Sequence, residues 1–359
     1  MSPHDGDAQR SGGVRAPEGE WIRDDWYVAC LSRELGTRPL ARTVLGVPLV
    51  VFRAEDGRAA ALADRCAHRS APLSIGAVRG GRIECAYHGW QFDGGGICRE
   101  VPGLCAEHEG KARRVASYAV VERDGFVWVY TAPNVEPASL PHTLELAADS
   151  RYTSVSKVVE VEGSLFATLE NTLDSIHTAY VHRGLFRGGR APVEITVVVT
   201  RTAEGFSAEY IGEPSPPGIA VRLLAPSGGI LRHVDQFALP SVAQVDYWLG
   251  DANHFRVTSF CTPVDAHHTR IYATISLRLR IPARLVLPLL APFAWKIFHQ
   301  DARILRLQTE TIRRFGDESF VSTEIDLLGG EIRRLLRHGR RDAAAELAPG
   351  ARREVKMRL

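Results

Sequence analysis

The chain has 359 residues, enough to bury a large core and to hold more than one domain. Apolar residues make up 45% and charged residues 24%, the composition of an ordinary soluble globular protein. A formal net charge of +2 gives no electrostatic footprint for nucleic acid or an anionic membrane, so neither is expected as a partner.

Residues 1–20 are polar, with Gly, Ser, Asp and Arg but no apolar run, and read as a disordered leader rather than a secretory signal. From Trp26 to Tyr130 the runs Thr43–Phe52, Ala59–Ala63, Ala119–Val121 and Phe126–Tyr130 are apolar or alternating, with Gly, Pro and Asp between them. That pattern predicts a small all-β domain over residues 21–135. Gly94-Gly95-Gly96 reads as a turn, since no phosphate-loop lysine or GxGxxG pattern accompanies it.

Two loops of this domain carry ligands. Cys66-Ala67-His68 is answered by Cys85-Ala86-Tyr87-His88, so each loop offers one thiolate and one imidazole. Two cysteines on one iron and two neutral histidines on the other make a [2Fe–2S] cluster of raised reduction potential. The same ligand set can hold structural zinc, but zinc fingers usually pair Cys with Cys and His with His. Cys30, Cys98, Cys105 and Cys261 show no framework spacing and are expected to be free thiols in a reducing cytoplasm, a Cys98–Cys105 disulfide being the alternative.

The proline-rich stretch Pro133–Pro141 predicts a linker. Beyond it, strands are expected at Tyr152–Val161, Val193–Thr200, Phe206–Ile211, His233–Leu239, Phe255–Pro263 and Arg270–Leu279. Helices are expected at Leu165–Tyr180 and Trp295–Phe315, giving an α+β domain over residues 136–330. Ala283–Trp295 is too short and too broken by Pro288 and Pro292 to cross a membrane. It reads as a buried packing segment, the alternative being the wall or lid of an apolar channel. Over residues 331–359, Ile332, Leu335 and Leu336 predict a docked surface helix ahead of a basic tail.

Asn171, Asp174 and His177 stand three apart and would share one helical face. His182 would lie roughly 140° from His177 on a regular helix, so the helix must bend or end if both bind one metal. Two histidines and one carboxylate on a single octahedral face are how non-haem Fe(II) is held with positions open for O₂. Asp301 falls on the apolar side of the last long helix, beside Ile297, Phe298, Ile304, Leu305, Ile312 and Phe315. A charge there is costly unless it pairs, with Arg303 or Arg306, or binds a metal.

These motifs, with Arg69–Leu73 (RSAPL) and Gly89–Asp93 (GWQFD) after the two loops, resemble the α subunit of Rieske non-haem iron oxygenases from about Trp21 to Phe320. The opening WYVAC…TVLGVPLVVFR…ALADRCAHRSAPL is similar to the branch of vanillate and dicamba O-demethylases and steroid hydroxylases. The resemblance implies an N-terminal all-β Rieske domain of antiparallel sheets. It also implies a helix-grip (START-like) catalytic domain with an antiparallel sheet, and a head-to-tail homotrimer. It places the cluster on Cys66, His68, Cys85 and His88, and mononuclear Fe(II) on His177, His182 and Asp301. It gives Asp174 the role of a bridge between a Rieske histidine of one subunit, His88 by motif position rather than His68, and His177 of the next.

No flavin or nicotinamide fingerprint occurs in the chain, so electrons are expected from a separate NAD(P)H-dependent reductase, directly or through a ferredoxin. The expected reaction is monooxygenation, as hydroxylation or oxidative demethylation, of an apolar aromatic or polycyclic molecule. The rival within the family is ring cis-dihydroxylation, and the rival outside it is a Rieske electron-transfer protein. Leu165–Leu169, Leu185-Phe186 and Ile219–Phe237 are the expected pocket segments.

Overall fold

A computed structural model describes residues 19–105, 113–183, 185, 192–214, 231–250, 252–280, 282–346 and 350–359. Most of the polar leader, Phe186 and residues 219–230 of the expected pocket lie outside the described residues.

The first half holds ten strands: β1 (Trp26–Leu31), β2 (Leu40–Val44), β3 (Val47–Arg53), β4 (Ala59–Ala63), β5 (Ala77–Arg79), β6 (Arg82–Glu84), β7 (Gln91–Phe92), β8 (Cys98–Glu100), β9 (Ser117–Arg123) and β10 (Phe126–Pro133). They form a six-stranded antiparallel sheet, β1-β10-β9-β4-β3-β2, and a four-stranded sheet, β5-β6-β7-β8. Phe52, Leu62, Leu73, Ile83 and Phe92 are fully buried in one apolar cluster that also holds Cys66 and Cys85.

Thr43–Phe52 is not one strand but a hairpin, with Val44 paired to Val47. Leu45 and Gly46 both take positive φ, 50° and 75°, as a two-residue hairpin turn of this hand requires. A leucine tolerates that conformation because the turn is docked: Leu45 is buried. Its N–H donates to the Pro263 carbonyl at 2.8 Å, and Gly46 N–H to that of Val264 at 2.9 Å.

The second half contains β11 (Thr153–Val161), α1 (Leu165–Leu173), β12 (Glu194–Arg201), β13 (Gly205–Ile211), β14 (Leu231–Ala238), β15 (Val242–Leu249), β16 (Asn253–Asp265), β17 (His268–Arg278), α2 (Ala283–Phe315), α3 (Gly329–Glu346) and β18 (Arg352–Arg358). Its sheet is antiparallel, in the order β11-β17-β16-β15-β14-β13-β12-β18, and α2 packs against β11 and β17.

β15 was not expected, although Ala243, Val245, Tyr247 and Leu249 alternate along it with Gln244 and Asp246 between them. Three readings of the sequence are corrected. The basic tail contains β18, an edge strand paired along β12 from Glu194–Arg358 to Thr200–Arg352. Ala283–Trp295 is not a separate segment but the first part of the 33-residue α2. Pro288 and Pro292 each remove a backbone hydrogen bond, yet both lie on the exposed face, where the freed carbonyls reach water. All six cysteines are free, so Cys98 and Cys105 form no disulfide. Among the described residues, no helix is long and apolar enough to cross a membrane.

α3 docks by Ile332, Leu335 and Leu336, each at most 2% exposed. Arg333 stacks over Phe166 and Phe320, and Glu20 pairs with Arg333 at 3.1 Å and Arg337 at 2.6 Å. Replacing Ile332 with alanine should cost about 2–5 kcal/mol, read as a lower urea midpoint, because the cavity opens at a fully enclosed position.

Candidate metal centres

The two ligand loops have the same backbone design. Ser70 N–H closes onto the Cys66 carbonyl at 2.9 Å, and Gly89 N–H onto that of Cys85 at 2.9 Å. Both closing residues, four beyond their cysteine, have positive φ, 61° at Ser70 and 70° at Gly89. The loops present two buried cysteines, a half-buried His68 and an exposed His88. The two imidazoles lie 4.6 Å apart between centroids, and Trp90 stacks flat on His68 at 4.7 Å.

These loops suit a cluster. Nδ1 of His68 is buried with no hydrogen-bond partner among the described residues. Burial, with the neighbouring Cys85 adding to it, pushes the Cys66 thiol up to about 11. The backbone N–H groups of His68 and Arg69 work the other way, and these are the donors that would stabilise a metal-bound thiolate.

The second centre begins where α1 stops. Ser164 caps the helix by accepting from Ala167 N–H at 3.2 Å, and the helix ends at Leu173, not at Tyr180. Asp174 itself breaks it: with φ −88° and ψ 117°, its carboxylate accepts from Ile176 N–H at 2.8 Å and His177 N–H at 3.2 Å. An aspartate that bonds the backbone two and three residues ahead competes with the helical pattern. The chain then turns through a short 3₁₀ segment, His177–Ala179, and Asn171, Asp174 and His177 do not share a helical face. The turn brings His182 round to His177 instead.

Asp301 meets them from the middle of α2. His177 Nε2 and His182 Nε2 are 3.2 Å apart, and Asp301 Oδ1 lies 3.4 Å from the first and 3.1 Å from the second. Metal–ligand bonds of about 2.1 Å meeting at right angles put neighbouring ligands about 3 Å apart. Three atoms with those mutual separations are spaced to share one metal ion. Arg303 and Arg306 do not partner Asp301: both are exposed, and Arg306 pairs with Glu310 at 2.6 Å. The helical stripe is less inward than expected, for Leu305 is buried whereas Ile304 is 42% and Phe315 77% exposed.

Electrostatics agree with a cation site. Burial works to raise the Asp301 carboxyl, but its hydrogen bonds with His177 and His182 hold it below the ordinary value. Burial likewise opposes charge on His177, yet Asp174 and Asp301 together hold it up at about 9. Gln300, the sequence neighbour of Asp301, was not singled out from sequence. Its Oε1 lies 3.0 Å from His182 Nδ1, which fixes the tautomer that leaves Nε2 free. A polar residue beside the one carboxylate of an apolar helical stripe was the available signal.

Beside the triad lies a cavity of ≈ 200 Å³. Its sheet wall comes from alternate residues of β14 to β17, among them Val245, Tyr247, Phe255 and Val257. The facing wall is α2, through Leu287, Leu290, Ala294 and Ile297, so Ala283–Trp295 is a channel wall rather than simple packing. Leu185, His233 and Asp235 line the cavity, whereas Leu165–Leu169 lie buried in the core and do not.

An all-β module with paired Cys/His loops, followed by a sheet-and-helix domain with a two-histidine, one-carboxylate face, defines a protein built for an iron–sulfur cluster and a second metal. Residues 25–119 match the Rieske [2Fe-2S] domain, and residues 164–341 the vanillate O-demethylase oxygenase C-terminal domain. The dicamba O-demethylase oxygenase component of Stenotrophomonas maltophilia is 39% identical over 169 residues, 45% of this chain and 48% of that protein. Methylxanthine N1-demethylase NdmA of Pseudomonas putida is 31% identical over 261 residues, 70% of this chain and 72% of that protein. The structure of dicamba monooxygenase bound to dicamba superposes with a TM-score of 0.76 at 24% identity, covering 90% of this chain and 99% of that one. The chain spans about half the length of the dicamba and vanillate relatives it matches. The chain belongs to the Rieske non-haem iron oxygenases.

Replacing Gln300 with leucine should weaken metal binding at the triad by about 10- to 100-fold, since His182 loses the group that orients its ring. Fe(II) titration of the metal-stripped protein measures the effect, and an unchanged affinity would remove Gln300 from the site.

Proposed function

We propose that this protein is the terminal oxygenase of a multicomponent system that monooxygenates an aromatic or polycyclic small molecule, by hydroxylation or oxidative demethylation. The observation that carries the reading is the convergence of His177, His182 and Asp301 on the wall of a mainly apolar cavity. In this reading Cys66, His68, Cys85 and His88 hold the cluster in a domain over residues 21–135. His177, His182 and Asp301 hold Fe(II) in a domain over 136–330. The names of the relatives, O-demethylases and an N-demethylase among them, support monooxygenation over ring dihydroxylation.

When bound, the cluster supplies single electrons and the Fe(II) centre supplies O₂ activation. The chain's own residues do the rest. The cavity walls hold the substrate against the ligand face and exclude water. Gln300 and Asp174 each face the Nδ1 of one imidazole, which orients the ring with Nε2 toward the triad. Asp174, with a side chain 36% exposed, retains carboxylate surface for a histidine of a neighbouring subunit, which supports a homotrimer with His88 of one chain against Asp174 of the next. Electrons come from a separate NAD(P)H-dependent reductase, directly or through a ferredoxin. The free cysteines support a cytoplasmic setting.

The test is metal analysis with EPR of the reduced protein. Two cluster irons with two acid-labile sulfides and one further iron are expected per chain. Asp301→Ala should lose the further iron and turnover while keeping the cluster's visible spectrum. Zinc in place of the cluster, or no further iron site, overturns the oxygenase reading.

Asp174→Asn tests the bridge. Cluster reduction and most of the iron should survive, while product formation collapses, because an amide brings no charge and cannot accept two N–H bonds equivalently. Mixed oligomers of His88→Ala and His182→Ala chains should regain activity, since an intact cluster can then serve an intact neighbouring iron. Verified mixed oligomers without turnover would place the electron path within one chain.

A further inference from the structure

The N-terminal third of α2 is apolar on both sides. Leu287, Leu290, Ala294 and Ile297 face the cavity. Leu285, Leu289 and Phe293 recur every four residues on the outward side, where they are 68%, 65% and 49% exposed. Pro288 and Pro292 lie between them and are exposed too. A single exposed leucine is ordinary, but three large apolar side chains in line with two prolines form a stripe that is costly to leave in water. Phe293 belongs to both sides, since it also lines the cavity. Stripe and cavity edge therefore meet at one ring.

The charge around the stripe is of one sign. No aspartate or glutamate occurs from residue 266 to residue 300, although the whole chain has 42 acidic residues. Arg280, Arg284 and Lys296 fall in that stretch, all of them exposed and without an ion pair among the described residues. Lys157 of β11 adds a further cation beside the helix, its ammonium 5.5 Å from the centre of the Trp295 ring. The chain-wide net charge of +2 conceals this basic and apolar border.

Size and chemistry decide what covers it. From Leu285 to Phe293 the stripe runs about 12 Å, far too small for the roughly 800 Å² per partner of a stable protein interface. A lipid surface needs no matching shape. A helix lying in the interface sinks its apolar side chains among the lipids and sets lysines and arginines against anionic headgroups. The carbonyls freed by Pro288 and Pro292 fit that shallow depth, because the headgroup layer is hydrated whereas hydrocarbon would leave them unpaired.

We propose that the outward face of residues 284–296 docks on an anionic lipid surface. Phe293 then stands between the cavity and a bilayer in which apolar small molecules dissolve. The docking is independent of the oxygenase reading, which supplies only the fate of a ligand taken up there.

Co-sedimentation of the whole protein with vesicles tests the proposal, using phosphatidylcholine mixed with phosphatidylglycerol and phosphatidylcholine alone. The protein should bind the mixed vesicles at least about tenfold more tightly than the neutral ones, and less as sodium chloride is raised. Leu285→Ser/Leu289→Ser should weaken binding to the mixed vesicles by about tenfold or more, and Lys296→Glu by about tenfold. These positions are exposed and outside the cavity lining, so the variants should keep their fold, checked by circular dichroism. The lipid and salt dependence of the unmodified protein decides the matter even where a variant folds poorly. No binding to mixed vesicles, equal binding to both kinds, or full binding by a folded double variant overturns the proposal. Self-association that the double variant abolishes, in a protein that ignores vesicles, would give the stripe to a second copy of the chain instead. Anionic-vesicle binding by a protein that holds no iron would sink the oxygenase reading and leave the docking standing.

Discussion

Asp301 carries an ionised carboxylate to the wall of a cavity lined mainly by apolar side chains, and that charge has to be met inside the cavity. Arginines on its own helix turn to solvent, so the compensating groups come from another element. This explains why α1 must stop where it does. A helix continued to Tyr180 would leave His177 and His182 on different sides, and only one imidazole could reach the carboxylate. Asp174 ends the helix by taking the backbone donors of residues 176 and 177 for itself. The same residue then lies 3.4 Å from His177 Nδ1, so one side chain both shapes the turn and steadies a ring within it. Sliding α2 by one residue, a rise of about 1.5 Å, would remove Asp301 from the face and Gln300 from His182 together. Thr309, which donates to the Glu162 carbonyl at 3.0 Å, and buried Leu305 hold the helix in register.

What could be read from the sequence was whatever is local. Each Cys-x-His or Cys-x-x-His loop is a few residues long, and its backbone closes within four of them, so spacing alone carried the cluster site. Two histidines five apart were equally visible, and the lone carboxylate on an apolar stripe brought in Asp301. Spacing failed where a side chain overrides periodicity. Asp174 has ordinary helical spacing from Asn171, but its carboxylate prefers the turn. Pro288 and Pro292 look like breaks, yet they fall on the face of α2 where the lost bonds are made good by water. What the sequence could not show at β15 was that Asp246 is buried, since that depends on His254 and Arg256 from the next strand. His233 on β14 lies between Glu213, 2.7 Å from its Nδ1, and Asp235, 2.9 Å from its Nε2, and that meeting depends on the β13–β14 register, which no local pattern contains. The sequence signal was His233 and Asp235 alternating onto one face of β14, with Leu231 and Phe237 beside them in the pattern.

The catalytic sheet divides its polar chemistry by face. Tyr247 and Phe255 are cross-strand partners on the cavity side, while Asp246 and Arg256 are partners on the other. Period-two alternation therefore lets β15 and β16 carry an apolar wall and a buried charge network at once. On the far side every group of that network works on structure: Tyr152 reaches His254 Nδ1 at 2.6 Å, and Trp248 stacks on the ring at 4.6 Å. The near side carries its charged groups at His233 and Asp235 on β14 and at Asp174, His177, His182 and Asp301. A ligand entering between sheet and helix thus meets mainly apolar surface on both walls, with polar groups on β14, at the triad and along residues 171–178. Orientation in such a cavity is set by few contacts, each worth more for being enclosed.

Strand β16 ties this cavity to the cluster-bearing half. Its first residues, Phe255 and Val257, line the cavity. Further along, Thr262 donates to the Val28 carbonyl at 2.7 Å, and Pro263 and Val264 accept from the Leu45–Gly46 turn. The proline-rich stretch between the halves is not a free tether either. Ser139 O accepts from Trp26 Nε1 at 3.0 Å, Pro141 O from Arg123 at 3.0 Å, and His142 Nε2 lies 2.7 Å from Leu239 O. Each such bond contributes about 1 kcal/mol net, and breaking several together at a buried junction costs more than their sum when donors are left unpaired. Swinging one half about the other is therefore opposed at both the junction and the tether.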